Sequence, residues 1–234
     1  MIGRFYGVGV GPGDPELISV KAYRVLKETP VIAYPKKRRG SRSYALDIIE
    51  AYVDAQAKTM VGLVFPMTKD AAVLAREWDR TAHTVAEYLV RGDDVAFVTE
   101  GDPMLYSTFI HLARTVTDKI PDLTVTAIPG ISSVTASAAV LGWPLADGDE
   151  TVAVVPATAD RERLKTLLSL HDAVVLVKVA KVLDVVLGVL EELGLTDRAR
   201  VVTQATHRAE RIWTRVTELG GAELPYLTLM VVKK

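Results

Sequence analysis

Short β-branched runs alternate with longer stretches of helical period along the first half of this chain, and that rhythm restricts the fold more than any other feature. "RFYGVGV" (4–10), "TPVIAYP" (29–35), "KTMVGLVF" (58–65), "DVAFVTE" (94–100) and "LTVTAIP" (123–129) have the length and composition of strands. Between them, "ELISVKAYRVLKE", "SYALDIIEAYV", "AAVLAREWDRTAHTVAEYLVRG" and "MLYSTFIHLARTV" space their apolar residues as helices do. Such alternation needs crossover connections, which gives an α/β domain with a mostly parallel sheet. Beyond about residue 130 the strands "TVAVVPA" (151–157), "DAVVLVKV" (172–179), "ARVVTQAT" (199–206), "ERIWTRV" (210–216) and "YLTLMVV" (226–232) are separated by only two clear helices. The last two are close enough in sequence to pair as antiparallel neighbours. The expectation is two α/β domains, residues 1–128 with a mostly parallel sheet and 129–234 with a mixed one.

At 234 residues, each half is long enough to bury a core of its own. A net charge of -1 gives no global field to attract nucleic acid or an anionic membrane. The absence of cysteine removes disulfides, thiolate catalysis and zinc–thiolate sites together. The start, "MIGRFYGVGVG", has no apolar core of a signal peptide, and the apolar run near 173–180 is broken by Lys178. The cytoplasm is the expected compartment.

The loop after the first strand, "GVGVGPGDP", sets four glycines at alternate positions. A dinucleotide-binding turn needs G-x-G-x-x-G, but counting from Gly7 the last position is Pro12, and from Gly9 it is Asp14. No Gly-Lys pair exists to make a P-loop. The second strand ends in Tyr34-Pro35-Lys36-Lys37, with no acid to hold ribose hydroxyls. Asp14 followed by Pro15 has the form of an N-cap with proline at the first helical position. Its carboxylate then occupies the helix N-terminus that a pyrophosphate would need. The loop disfavours phosphate and suits a neutral or cationic ligand.

Similar chemistry returns twice. "TEGDPMLYS" (99–107) and "IPGISSVTAS" (128–137) are again strand end, glycine turn and helix. One Gly-Asp-Pro is an efficient turn and cap. Three such turns at the carboxyl edge of a parallel sheet would line one crevice, where ligands of open α/β sheets bind.

The segments "FYGVGVGPGDPELISVKA", "VIAYP", "FVTEGDPMLYSTF" and "IPGISSVTASAAVLGWPLADGDETVAVVPAT" resemble the tetrapyrrole methylases of corrin biosynthesis, and within them the branch that methylates C20 of precorrin-2 or cobalt-factor II. The resemblance runs from residue 5 to about 206, and its long last segment is the most specific. It implies the two-domain tetrapyrrole methylase fold, with S-adenosylmethionine as methyl donor in a cleft between the domains. It also implies S-adenosylhomocysteine as product, a small-molecule tetrapyrrole as acceptor, and usually a homodimer. A sulfonium donor without phosphate agrees with the failure of both phosphate patterns.

Carried over residue by residue, the resemblance assigns the donor to Pro12, to Glu100, Gly101 and Asp102, and to Leu105 one turn into the following helix. It adds Ser132 and Ser133, then Val179 and Ala205 from the second domain. Ala180 stands where family members often have glycine. Lys36, Lys37, Arg38, Arg39 and Arg42, in "KKRRGSR" just beyond the second strand, have the charge to meet a macrocycle's rim of carboxylates, although such runs are commonly solvated surface. For a base that removes the C20 proton the candidates are Asp14, Glu100 and Tyr106, with Asp102 and Lys178 also considered. Asp14 and Asp102 double as helix caps, and Lys178 fits a lysine snorkelling at a sheet edge. The histidines His83, His111, His171 and His207 have no ligand spacing, so no protein-bound metal is expected. A nicotinamide reductase lacks its fingerprint here. A non-catalytic donor sensor, or methylation at another ring position, would use the same donor site.

Overall fold

The computed structural model describes residues 1–38, 40–66, 70–157 and 160–234, and the chain divides into two compact units, Met1–Ser132 and Ser133–Lys234. In the first unit, β1 (Phe5–Gly9), β2 (Val31–Lys36), β3 (Thr59–Val64), β4 (Val95–Thr99) and β5 (Val125–Ile128) form one sheet in the order β3-β2-β4-β1-β5. Every pairing in it is parallel. Alternate residues of each strand feed opposite faces. Val8, Ile32, Ala96 and Val98 pack with α1 (Val20–Glu28) and α2 (Tyr44–Ile49). Phe5, Val31, Ala33, Val95 and Phe97 pack with α3 (Ala71–Val90) and α4 (Thr108–Lys119) on the other face. Gly7 lies on that second face because Phe109 of α4 fills the space of a side chain, 2.3 Å from where a Cβ would stand.

The second unit holds β6 (Val152–Pro156), β7 (Ala173–Val177), β8 (Ala199–Thr203), β9 (Arg211–Trp213) and β10 (Thr228–Lys233) in the order β6-β7-β10-β8-β9. Only β6 and β7 run parallel; the other pairs are antiparallel, so the sheet is mixed. Helices α6 (Arg161–Leu170) and α7 (Leu183–Glu192) bury Leu164, Leu168, Val186, Val189 and Leu190 against one face. Val134 of α5 (Ser133–Leu141) packs on the other, against Val175, Leu229 and Val231.

The expected pairing of the last two strands does not occur. β10 inserts between β7 and β8, and β9 pairs with β8. The reason is burial. β10 has five consecutive buried residues, Thr228 to Val232, and needs sheet neighbours on both edges, whereas β9 is short, carries the exposed Arg211 and Ile212, and lies at the edge. Among the described residues no helix is long and apolar enough to cross a membrane.

Candidate functional site

β1 and β4 are neighbours, yet the chain leaves β1 for the face covered by α1 and β4 for the face covered by α4. Divergence of adjacent strands opens a crevice at their carboxyl ends. The turns after β1, β4 and β5 meet there through main chain. Gly101 N donates to the Gly11 carbonyl at 2.7 Å, an isolated antiparallel bridge across the crevice. A Cβ on Gly9 would stand 2.6 Å from Gly101 O and 2.7 Å from Gly130 N, and one on Gly130 would stand 2.2 Å from Gly101 O. No side chain fits at either crossing. Gly101 further requires its left-handed φ of 67°.

The first two turns share the sequence Gly-Asp-Pro-x-Leu-x-Ser, at 13–19 and 101–107, and use its aspartate and serine in the same way, although Gly101 and Tyr106 have left-handed φ and Ile18, the counterpart of Tyr106, is extended. Asp14 Oδ1 accepts from Glu16 N at 2.9 Å, and Asp102 Oδ1 accepts from Met104 N at 2.8 Å. Each serine then caps the helix: Ser19 accepts from Ala22 N at 3.1 Å and Ser107 from Phe109 N at 3.1 Å. This corrects two expectations. Asp14 caps a three-residue 3₁₀ turn, Pro15–Leu17, and α1 starts at Val20. Leu105 is likewise exposed in the turn and not one turn into a helix, because α4 starts at Thr108. A serine directly before the apolar period is the better helix start in both places.

The carboxylates of the crevice differ in their engagement. Asp102 uses its second oxygen on Gly130 N at 3.0 Å, so one side chain ties the β4 turn to the β5 turn. Both Asp14 and Asp102 are thus held by main-chain amides. Glu100, half-buried by its accessible surface, also meets a main-chain amide, its own, but loss of solvent around the carboxyl outweighs that amide and the nearby Lys37 and pushes the group above the ordinary range. Beside it, Ser107 donates to Thr99 Oγ1 at 3.1 Å, both residues being buried. Tyr106 is exposed, with a φ of 53° that a bulky residue adopts only when its surroundings impose it.

The described residues of the basic segment have different surroundings. Lys36 is the last residue of β2, and its stem runs along Gly62 with Nζ 5.5 Å from the Tyr34 ring centroid. Arg42 pairs with Asp47 at 3.1 Å. Lys37, exposed, is the cation whose charge reaches Glu100, and Arg38 is exposed in a turn closed by Ser41. Arg39 lies outside the described residues. Tyr44, which no motif singles out, donates its hydroxyl to the carbonyl of Pro12 at 3.2 Å.

Ser132 ends the first unit, and Ser133 opens α5 in the second. β7 and β8 are both antiparallel to β10, so Val179 and Ala205 follow strands that end at the same edge of the second sheet. Val179 is fully buried in the core, which leaves its main chain as the part able to meet a ligand. Lys178 corrects another expectation. It directly follows β7 with a φ of 60°, at the edge of the sheet where that strand ends, and is not inside the strand.

Residues 4–220 match the family model of the tetrapyrrole (corrin/porphyrin) methylases. The chain belongs to that family. The matched span of this tetrapyrrole methylase includes all three glycine turns and ends before β10. Over 235 residues it is 32% identical to the cobalt-precorrin-2 C(20)-methyltransferase of Salmonella typhimurium, covering 100% of this chain and 98% of that relative. It is 31% identical over 239 residues to the precorrin-2 C(20)-methyltransferase of a Sinorhizobium species, covering 99% and 95%. Among solved structures, the uroporphyrin-III C-methyl transferase of Thermus thermophilus complexed with S-adenyl homocysteine aligns with a TM-score of 0.71 at 25% identity, over 99% of this chain and 98% of that one.

Proposed function

We propose that this tetrapyrrole methylase is an S-adenosylmethionine-dependent C-methyltransferase of cobalamin biosynthesis, acting on C20 of precorrin-2 or cobalt-factor II as a cytoplasmic homodimer. The observation that carries the reading is the meeting of three glycine turns at one crevice, in a chain alike over its full length to relatives named for that reaction. The donor fits those turns on chemical grounds. Asp14, Glu100 and Asp102 bring carboxylates to them, and the glycines offer main-chain groups at close range, an arrangement that favours a cationic ligand over a polyphosphate.

When bound, S-adenosylmethionine supplies an activated methyl carried on a sulfonium. Main chain at Pro12, Gly101 and Ser132, with Asp102 and Leu105 beside it, holds and orients that donor. Lys37 and Arg38 meet carboxylates on the acceptor's rim. Gaining a methyl at C20 leaves the macrocycle one proton in excess, and Glu100 accepts that proton. A carboxyl raised by desolvation is a stronger base once ionised than an ordinary one, whereas Asp14 and Asp102 are committed to amides of the turns that they shape.

Calorimetric titration is expected to give binding of S-adenosylhomocysteine and none of NADH; the reverse pattern would remove the donor assignment. Incubation with labelled donor and either metal-free or cobalt-loaded acceptor, followed by NMR, is expected to locate the new methyl at C20. A methyl at another ring carbon would overturn the substrate assignment and leave the donor site standing. Arg38→Glu is expected to raise the acceptor KM about tenfold or more at low salt, the worth of a lost charge-assisted contact, with donor affinity unchanged. An unaltered acceptor KM would make the segment ordinary solvated surface.

A further inference from the structure

Tyr44 opens α2 immediately after the segment that carries Lys37, Arg38 and Arg42. Its ring packs, half-buried, against the apolar cluster beneath α1 and α2, and Ser43 caps the helix by accepting from Leu46 N at 3.4 Å. From that base its hydroxyl crosses 32 residues of sequence to donate to the buried Pro12 carbonyl. The preceding carbonyl, of Gly11, accepts from Gly101 N at 2.7 Å. Two successive carbonyls of the first turn are therefore held from two directions, one by the β4 turn and one by α2.

The second hold matters because it acts on a peptide whose flanking dihedrals are loosely restricted. Proline fixes its own φ but leaves ψ open, and Gly13 on the far side of the bond has no Cβ to restrict rotation. A hydrogen bond to the Pro12 oxygen sets that plane directly. We propose that Tyr44 is a positioning residue of the donor site, its hydroxyl fixing the Pro12 peptide and tying the first glycine turn to the helix that follows the basic segment. The proposal rests on the reading that these turns hold S-adenosylmethionine. It also links the two halves of the site through one short stretch of chain, since Lys37 of the same stretch acts on Glu100.

The test is Tyr44→Phe, which keeps the ring in its apolar contacts and removes only the hydroxyl. Calorimetry with S-adenosylhomocysteine is expected to give a Kd raised about 3- to 10-fold, the worth of one hydrogen bond. The donor KM should rise in step, while kcat and the acceptor KM stay within about twofold. Melting of the ligand-free protein, measured in parallel, separates positioning from bulk stability. An unchanged Kd, with or without a lowered melting temperature, overturns the proposal. If wild-type protein itself fails to bind S-adenosylhomocysteine, the donor reading fails instead, and the two failures are distinct.

Discussion

Gly130→Ala is expected to lower the melting temperature by roughly 10 °C and to abolish binding of S-adenosylhomocysteine. The added Cβ would stand 2.2 Å from Gly101 O, 2.7 Å from Gly9 C and 2.8 Å from Gly9 Cα, all of them backbone atoms with no flexible end to move. The β5 turn must retreat, and in doing so it pulls Gly130 N away from Asp102 Oδ2, now 3.0 Å distant. Overpacking of this kind costs about 1–3 kcal/mol, and a hydrogen bond to a charged acceptor about 1.5–3. A chain of this size loses about 2–4 °C per kcal/mol, which gives the expected shift. Gly220→Ala is the control, since nothing lies within 4 Å of its Cβ position and its φ is not left-handed. That variant should melt with the wild type or slightly above it. A Gly130→Ala protein that melts within about 2 °C of wild type and still binds S-adenosylhomocysteine would show the crossing of the three turns to be slack.

Much of this architecture is legible in the sequence, and the parts that are not have identifiable causes. The strands of the described residues could be read because each is a short β-branched run bounded by turn residues, and α1, α3 and α4 because their apolar spacing persists over two turns or more, whereas α2 has only six residues. The insertion of β10 was hidden by reasoning from proximity along the chain, although its nearly unbroken apolar run, Leu229 to Val232, is longer than that of β9, three residues that open on Arg211, and marks an interior strand. Asp-Pro misled in both glycine turns, because the pair serves a 3₁₀ or Asx turn as readily as a helix start. The glycines themselves were visible, but that Gly9, Gly101 and Gly130 touch one another depends on strand order, which periodicity does not encode. Tyr44 is further out of reach. A side-chain hydroxyl meeting a carbonyl 32 residues away leaves no pattern of spacing or composition.

Glu100→Gln is expected to cut kcat about 100-fold or more while leaving the affinity for S-adenosylhomocysteine within a few-fold, and to change how stability responds to pH. Burial raises the Glu100 carboxyl above its unfolded value, so over the interval between the two the folded protein holds a proton that the unfolded chain has released. Stability from this group is therefore fully present below the unfolded value, is lost as pH climbs through the folded value, and stays lost above it. Glutamine keeps the shape and cannot ionise. Relative to wild type, the variant should gain in melting temperature as pH is raised and gain nothing at the acid end. The same ionisation governs activity, because only the carboxylate can accept the C20 proton. Wild-type kcat should climb as pH passes the folded value, and the variant should lack that limb. Lys37 opposes the rise by favouring the charged form, so Lys37→Met is expected to move the limb of the wild-type profile to higher pH. A melting difference between Glu100→Gln and wild type that stays constant with pH would mean that burial does not govern this carboxyl. A full kcat in Glu100→Gln would place proton removal on water or on the macrocycle's own nitrogens, and the turns would then serve the donor alone.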